Sequence, residues 1–287
     1  MIVIGAIFFS SASLCIRLMS EIFSTTSTVF YRSVIHTLIL LPLVLRTMKN
    51  KKFSINQLKI HAIRGSSGIV AMYLFFFTLK HVPLALAITL TMTSMMWAAV
   101  FSYVFIGERI QREQVIASVL VILGVILTVW KQDPNWSFSP WGVVTGLACG
   151  VGMGFSATMV RMLRAESSTL EVITFFGLFA LIFSLGPFLW QPEFPENFSQ
   201  LGLLLLMGVS ALAGQFFYTY GIGFTSVVTG TLSGMSQFVF NIGIGILILN
   251  EHPTLNFMIG AILVLAGIMQ LTLGPRLRKL WATANRN

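Results

Sequence analysis

YLFFFTLKHVPLALAITLTMTSMMWAAVFSYVFIGERIQRE, residues 73–113, is a stretch that this chain writes twice. Moved along by 143 positions it lies without a gap on FFYTYGIGFTSVVTGTLSGMSQFVFNIGIGILILNEHPTLN, residues 216–256, and the match continues until about Trp130 falls on Leu273. Tyr73 falls on Phe216, Met92 on Met235, Glu108 on Glu251, Ile116 on Ile259, Leu120 on Leu263, Val121 on Val264 and Gly124 on Gly267. Each copy holds two long apolar runs parted by one short polar knot, GERIQRE (107–113) or NEHPT (250–254). Composition alone would give any two apolar helix pairs some shared Leu and Val. A glutamate at the same helix end, with Gly and Met in step, points instead to duplication, and internal repeats of this kind mark transporter folds.

Around this core the composition is that of a membrane protein. Of 287 residues, 56% are hydrophobic and 9% charged, with a mean hydropathy of +0.86, where a soluble domain would be about one quarter charged. The net charge of +9 does not indicate nucleic acid, because the basic residues sit in short loops between apolar runs. Cys15 and Cys149 both lie inside apolar segments and give neither a disulfide framework nor metal-ligand spacing.

Apolar runs long enough to span a bilayer as helices are read near 2–20, 27–46, 62–80, 84–106, 113–130, 142–160, 169–190, 200–220, 225–249 and 255–273. The first lacks the basic start and small-residue cleavage site of a signal peptide and is kept as a span. The expected fold is therefore an all-α polytopic membrane protein of ten transmembrane helices. It divides into a first five-helix repeat (1–130), an outer linker (131–141), a second repeat (142–273) and a basic tail (274–287).

With the N-terminus inside, the inner loops and tail collect Arg46, Lys49, Lys51, Lys52, Lys59, Arg64, Arg109, Arg112, Arg161, Arg164, Arg276, Arg278, Lys279 and Arg286. The outer loops collect only Lys80 and Lys131. That bias places both termini in the cytoplasm. Five spans per half is an odd number, so the second half enters the membrane from the opposite side. The halves are then inverted repeats, the arrangement that supplies two interconvertible faces for alternating access. The basic tail reads as a positive-inside anchor that attracts anionic lipid.

The chain resembles the drug/metabolite transporter superfamily in its ten-helix EamA form. The resemblance rests on Gly107-Glu108 and Asn250-Glu251 ending the fourth and ninth helices, Arg32 early in the second, and Arg64-Gly65 opening the third, all set in a 5+5 pattern. It implies two five-helix repeats; the expected place is a bacterial inner membrane, and the polar and aromatic residues inside the spans would suit a small amphipathic metabolite such as an amino acid or a nucleoside-like solute. One departure stands out: related proteins often carry a proline upstream of each glutamate. Here the corresponding stretches read Thr91-Met92-Thr93-Ser94 and Gly234-Met235-Ser236-Gln237. Ser and Thr can still soften a helix there by competing for backbone hydrogen bonds.

The candidate substrate-binding residues are the polar and aromatic ones inside spans. Asn241, Gln237 and Ser233 form a stripe at helical spacing on the ninth helix, and the eighth carries Gln215 and Tyr218. The repeat-equivalent positions in the first half are Leu90, Ser94 and Ala98, then Met72 and Phe75. This asymmetry describes a cavity polar on one wall and aromatic on the other, where Tyr73, Trp97 and Tyr103 can contribute; buried amides demand partners in protein, water or ligand, and plain interhelical bonding is the alternative role. Arg32 either snorkels or faces the cavity to meet a substrate carboxylate or phosphate. Arg17 reads as a snorkelling residue. His36, one turn beyond Arg32, is either a packing residue or the one deep group that titrates near neutrality. No Asp or Glu lies mid-span. Glu108 and Glu251 sit at helix ends, where capping or pairing is the favoured role and proton coupling the other. Gly142, Gly146, Gly150 and Gly154 give the sixth helix a small face for close packing.

A membrane enzyme is the rival class, disfavoured because no Ser-His-Asp pattern, H-E-x-x-H pair or mid-membrane acid cluster appears. A non-transporting interaction protein would have no use for inverted repeats. Neither metal nor other cofactor is expected. Nothing in the chain specifies its oligomeric state.

Overall fold

The computed structural model describes residues 1–47, 54–108, 112–130, 138–234, 236–251 and 253–284. Within them lie twelve helices: α1 (Ile2–Met19), α2 (Thr25–Thr47), α3 (Ile55–His81), α4 (Leu84–Thr91), α5 (Ser94–Ile106), α6 (Arg112–Val129), α7 (Pro140–Arg164), α8 (Thr169–Trp190), α9 (Phe198–Ile222), α10 (Val227–Gly234), α11 (Ser236–Leu247) and α12 (Leu255–Ala284). One expected span, 84–106, is broken into α4 and α5, while α10 and α11 of the 225–249 span flank residue 235, which is outside the described residues. Counting each pair as one rod restores ten. Six of the rods are long and apolar enough to cross a membrane by length and composition, the α4–α5 rod among them. Parts of the polar knots, of the 47–58 loop and of the 131–141 linker fall outside the described residues, as do the side chains of the basic tail.

The α4–α5 break occurs without proline. Met92 N–H is shared between the carbonyls of Ile88 and Thr89 (3.2 and 3.1 Å), and Thr93 N–H turns back to Leu90 (3.3 Å). The hydroxyls of Thr91 and Thr93 donate to Ile88 and Leu90 at 2.7 and 2.9 Å. Hydroxyls that occupy helix carbonyls, with a tightened turn, part the rod. In the second half the Ser236 hydroxyl likewise donates to a helix carbonyl, that of Ser233 (2.8 Å).

The two rods also end alike. Gly107 caps α5 at φ 78°, and Asn250 follows α11 at φ 51°. Glu108 N–H then donates to Ser102 (3.3 Å) and Glu251 N–H to Gly245 (2.8 Å). Glycine adopts the left-handed conformation freely, and Asn tolerates it better than other side chains.

The third span starts earlier than expected. A capping box at Ser54 and Gln57 opens α3 at Ile55, not near 62. Lys59 and Arg64 are therefore helical, and Arg64 is a buried residue of the bundle instead of a loop cation. Arg17 does not snorkel. Its guanidinium donates to the Leu79 and Lys80 carbonyls (2.8 and 3.4 Å) at the C-terminal end of α3, and Arg161 does the same for Gly223 (2.7 Å) just past α9. Cations belong at such helix ends, where carbonyls lack partners.

The principal pairings are α1 with α9, α3 with α7, α2 with α8, and α6 with α12. Small residues bring backbones together: a Cβ on Gly124 would stand 2.6 Å from the Gly260 carbonyl, and one on Gly267 2.9 Å from the Ala117 carbonyl. The glycine face of α7 packs against α3, α4 and α5. Cβ atoms on Gly142, Gly146 and Gly150 would strike Val82, Leu90 and the Thr93 hydroxyl. Trp130, Trp141 and Trp190 stay exposed at rod ends, as in an aromatic belt at a membrane surface.

Candidate functional site

At the bundle centre α1, α2, α3, α7, α8, α9 and the α4–α5 and α10–α11 rods line a cavity of about 210 Å³. An engineered apolar cavity of about 150 Å³ holds benzene, so this one has room for a small substituted ring. One side is formed by α1, with Phe9, Ala12, Ser13 and Ile16, and α3 supplies Arg64, Gly68, Met72, Phe75 and Phe76. Spacing of three and four residues along α3 turns all of these to one face. From the other half come Phe176, Gln215, Tyr218, Thr231, Gly234 and Gln237.

Among the candidates, Arg32, Ser94, Gln215, Tyr218 and Gln237 line this cavity. Arg32 is 8% exposed; one guanidinium nitrogen donates to Gln215 Oε1 (3.2 Å) and another sits on the Met72 sulfur. Asn241 lies just beneath, fully buried, its Nδ2 donating to the Ser10 hydroxyl (3.0 Å) and to the Gln237 carbonyl (2.8 Å) while its Oδ1 has no partner. Gln237 Nε2 reaches the Ser13 hydroxyl at 3.5 Å. The stripe on α11 is thus tied to α1.

The other candidates stand elsewhere. His36 is buried outside the cavity lining, with Nε2 on the Ile173 carbonyl (3.0 Å) and its ring against Gly177. Tyr73 packs into the core out of phase with the lining face of α3, and its buried hydroxyl has no partner. Trp97 stacks on Phe101 (centroids 6.1 Å apart) and closes on Gly154. Tyr103 is exposed. The aromatic lining comes instead from Phe9, Phe75, Phe76, Phe176 and Tyr218.

Glu251 has a defined partner. Its carboxylate accepts from the backbone N–H groups of Leu84 (2.6 Å) and Ala85 (3.2 Å), capping α4 from the other half of the chain. Glu108 is half-buried at the matching end of α5, next to residues outside the described set.

Arg64 is the lining residue that sequence reasoning missed as a site. It is 7% exposed, and its Nε and Nη1 have no hydrogen-bond partner. Its guanidinium lies 4.4 Å from the Phe176 ring centroid, and that of Arg32 lies 5.7 Å from the same ring. A Cβ at Gly68 would meet Arg64 Nη1 and the Phe176 ring, so the glycine gives the guanidinium room in this position. The spacing of Arg64 and Gly68 within an apolar helix was the available signal, once the Ser54 cap had lengthened that helix.

A helical bundle of membrane-crossing rods around a central, largely apolar cavity with a few polar groups is the architecture of a solute carrier. The chain belongs to the EamA-like transporter family, which it matches over residues 1–130 and again over 140–273. It is 28% identical to the pseudopaline exporter CntI of Pseudomonas aeruginosa, with 94% of each chain covered. It is 23% identical to the human solute carrier family 35 member G1, covering 96% of this chain and 78% of that one. A solved crystal structure shares the fold at a TM-score of 0.68 and 20% identity, covering 95% of this chain and 96% of the other. The protein is a membrane transporter of small solutes.

Proposed function

We propose that the solute binds in the central cavity and crosses by alternating access between two inverted five-helix repeats, residues 1–130 and 142–273. The observation that carries this reading is that repeat-equivalent elements of both halves, α3 with α9 and α4–α5 with α10–α11, line one cavity. The packing supports it. Exchanging the repeats turns the α1–α9 pairing into α7–α3, and returns α6–α12 and α2–α8 to themselves. The crossing of Gly124 with Gly260 likewise becomes that of Gly267 with Ala117. Related by an in-plane two-fold axis, such repeats can exchange conformations and so open the cavity to either side.

Both termini are assigned to the cytoplasm, and the membrane to a bacterial inner membrane. Arg64 leaves the tally of loop cations, yet the excess of Lys and Arg on that side persists. The basic tail lies against anionic lipid there. Export is supported by the name of the Pseudomonas relative. Substrate contact falls to Arg32, Ser94, Gln215, Tyr218 and Gln237, with Asn241 setting the position of α11.

The test uses single cysteines at Glu166 and Glu196, in a background lacking Cys15 and Cys149, probed with a membrane-impermeant thiol reagent in oriented vesicles. They should label from opposite sides. Labelling from one side removes the inverted-repeat reading. A third cysteine at Gln237 should react from both sides during transport, and protection of that thiol by transported solute locates the route.

A further inference from the structure

We propose that Arg32 and Arg64 form a paired guanidinium seat for an oxyanion, so that the solute is a small amphipathic organic anion carrying a carboxylate or phosphate. The proposal rests on the reading of the central cavity as the solute's route. Four observations converge on it. Both arginines line the cavity and both are buried, at 8% and 7% exposure. Among the described residues that line it, none is Asp or Glu. Nη1 and Nε of Arg64 have no hydrogen-bond partner, and Arg32 is served only by a neutral amide oxygen and a thioether sulfur. The two guanidiniums share the Phe176 ring, and Gly68 leaves room for the inner one.

The electrostatics follow from this arrangement. A ring face attracts a cation more weakly than a carboxylate does, and one ring here serves two cations. Buried charges of the same sign are costly together unless an anion accompanies them. A guanidinium presents planar, fixed donors that match the oxygens of a carboxylate or phosphate in pairs. A cationic solute would meet two like charges without a carboxylate to offset them. The remaining lining, with Phe9 and Ile16 of α1 and Phe75 and Phe76 of α3, is apolar and suits a ring or short hydrocarbon body. Gln215, which accepts from Arg32, and Gln237 and Tyr218 add neutral donors and acceptors to the lining.

The experiment measures the affinity of the full-length protein in detergent by ligand-dependent melting, using phenylsuccinate, phenylacetate, phenyl phosphate, neutral phenylacetamide and cationic phenethylamine. The anions should bind roughly tenfold or more tightly than the amide, phenylsuccinate best among the carboxylates, and the amine should not stabilise. The ranking of phenyl phosphate against the carboxylates decides which oxyanion the seat takes. Arg64→Gln and Arg32→Gln should each remove the preference for anions over the amide, while Arg64→Lys keeps part of it and serves if the glutamine variant does not fold. Equal binding of amide and anion, binding of the amine, no stabilisation by any anion, or an unchanged anion preference in both glutamine variants overturns the proposal. Proteoliposomes separate it from the transport reading. Anions that bind through both arginines but never cross leave the seat standing and sink the route. A neutral or cationic solute that crosses and protects a cysteine at Gln237 leaves the route standing and sinks the seat.

Discussion

The α4–α5 and α10–α11 rods occupy matching places in the duplicated chain, yet they are held in opposite ways. The α4–α5 rod is held by packing: every residue from Leu84 to Met95 is buried, apart from the cavity that Ser94 and its neighbours line, and the glycine face of α7 presses on it. A Cβ on Gly154 would lie 2.7 Å from both Ala98 N and the Ser94 carbonyl, within the backbone itself. The α10–α11 rod is held by hydrogen bonds, with Asn241 and Gln237 reaching the serines of α1. Duplication supplied the frame. Divergence at Leu90, Ser94 and Ala98 against Ser233, Gln237 and Asn241 made one rod a structural wall and its counterpart a polar one.

The contrast breaks most visibly if the dry contact is overfilled. Gly154→Leu has nowhere to put its side chain except into the α5 backbone, and a cost of about 3 kcal/mol is expected. It should appear as a large fall in melting temperature and in the yield of monodisperse protein. A variant that melts like wild type would show that α7 and α5 part easily. Next comes the cap on the same rod. Glu251→Ala leaves the first N–H groups of α4 without their carboxylate and should cost about 1–2 kcal/mol, with Glu251→Gln losing less because one acceptor survives. Melting of the two variants side by side checks the order.

The hydrogen-bonded rod should respond more gently. Asn241→Ala removes a donor to Ser10 and should cost about 1 kcal/mol; combined with Ser10→Ala, the losses should sum to less than their separate values. Strict additivity would mean that the two side chains do not support one another. The smallest effect lies away from both rods. Glu193, in the 191–197 segment, accepts from Ser24 N–H at 2.7 Å. Burial raises its carboxyl, but the hydrogen bonds from Ser24 and Ser27, with Lys80 nearby, outweigh that and leave it below the ordinary carboxylate range. A lowered folded-state value means its contribution is fully present above the ordinary range and fades as pH falls through the depressed value. The melting difference between wild type and Glu193→Ala should be small at neutral pH and vanish in acid. A difference that grew toward acid pH would reverse this assignment.

Much of this architecture was legible because bilayer thickness forces long apolar runs, and duplication made each half a check on the other. Span limits hold closely where a run is uniformly apolar, as at 169–190. They slip at α3, whose first three turns carry Lys59, His61 and Arg64: hydropathy sees a loop where the Ser54–Gln57 cap builds a helix. The same slip hid one of the two cavity arginines, since Arg64 was counted by its charge and not by the face it occupies. The break between α4 and α5 was partly legible as a run of Thr and Ser, but which carbonyls those hydroxyls would occupy depends on packing. Tyr73 and Trp97 show the remaining limit. Residue type identified them as wall material, while helix phase, fixed only by contact with α7 and its glycines, turned them from the cavity.

The cap on α4 has a consequence for how quickly the molecule can open at that end. Glu251 and Leu84 come from different halves, so under the proposed alternating access their contact parts when the halves separate. What it exposes is a carboxylate and two amide N–H groups, all of which water solvates at once. A plug of leucines would leave bare hydrocarbon facing solvent in the same event, with nothing to compensate it. The molecule is closed there by a bond that water can replace, and a closure of that kind is firm when dry yet adds little to the barrier once the first waters arrive.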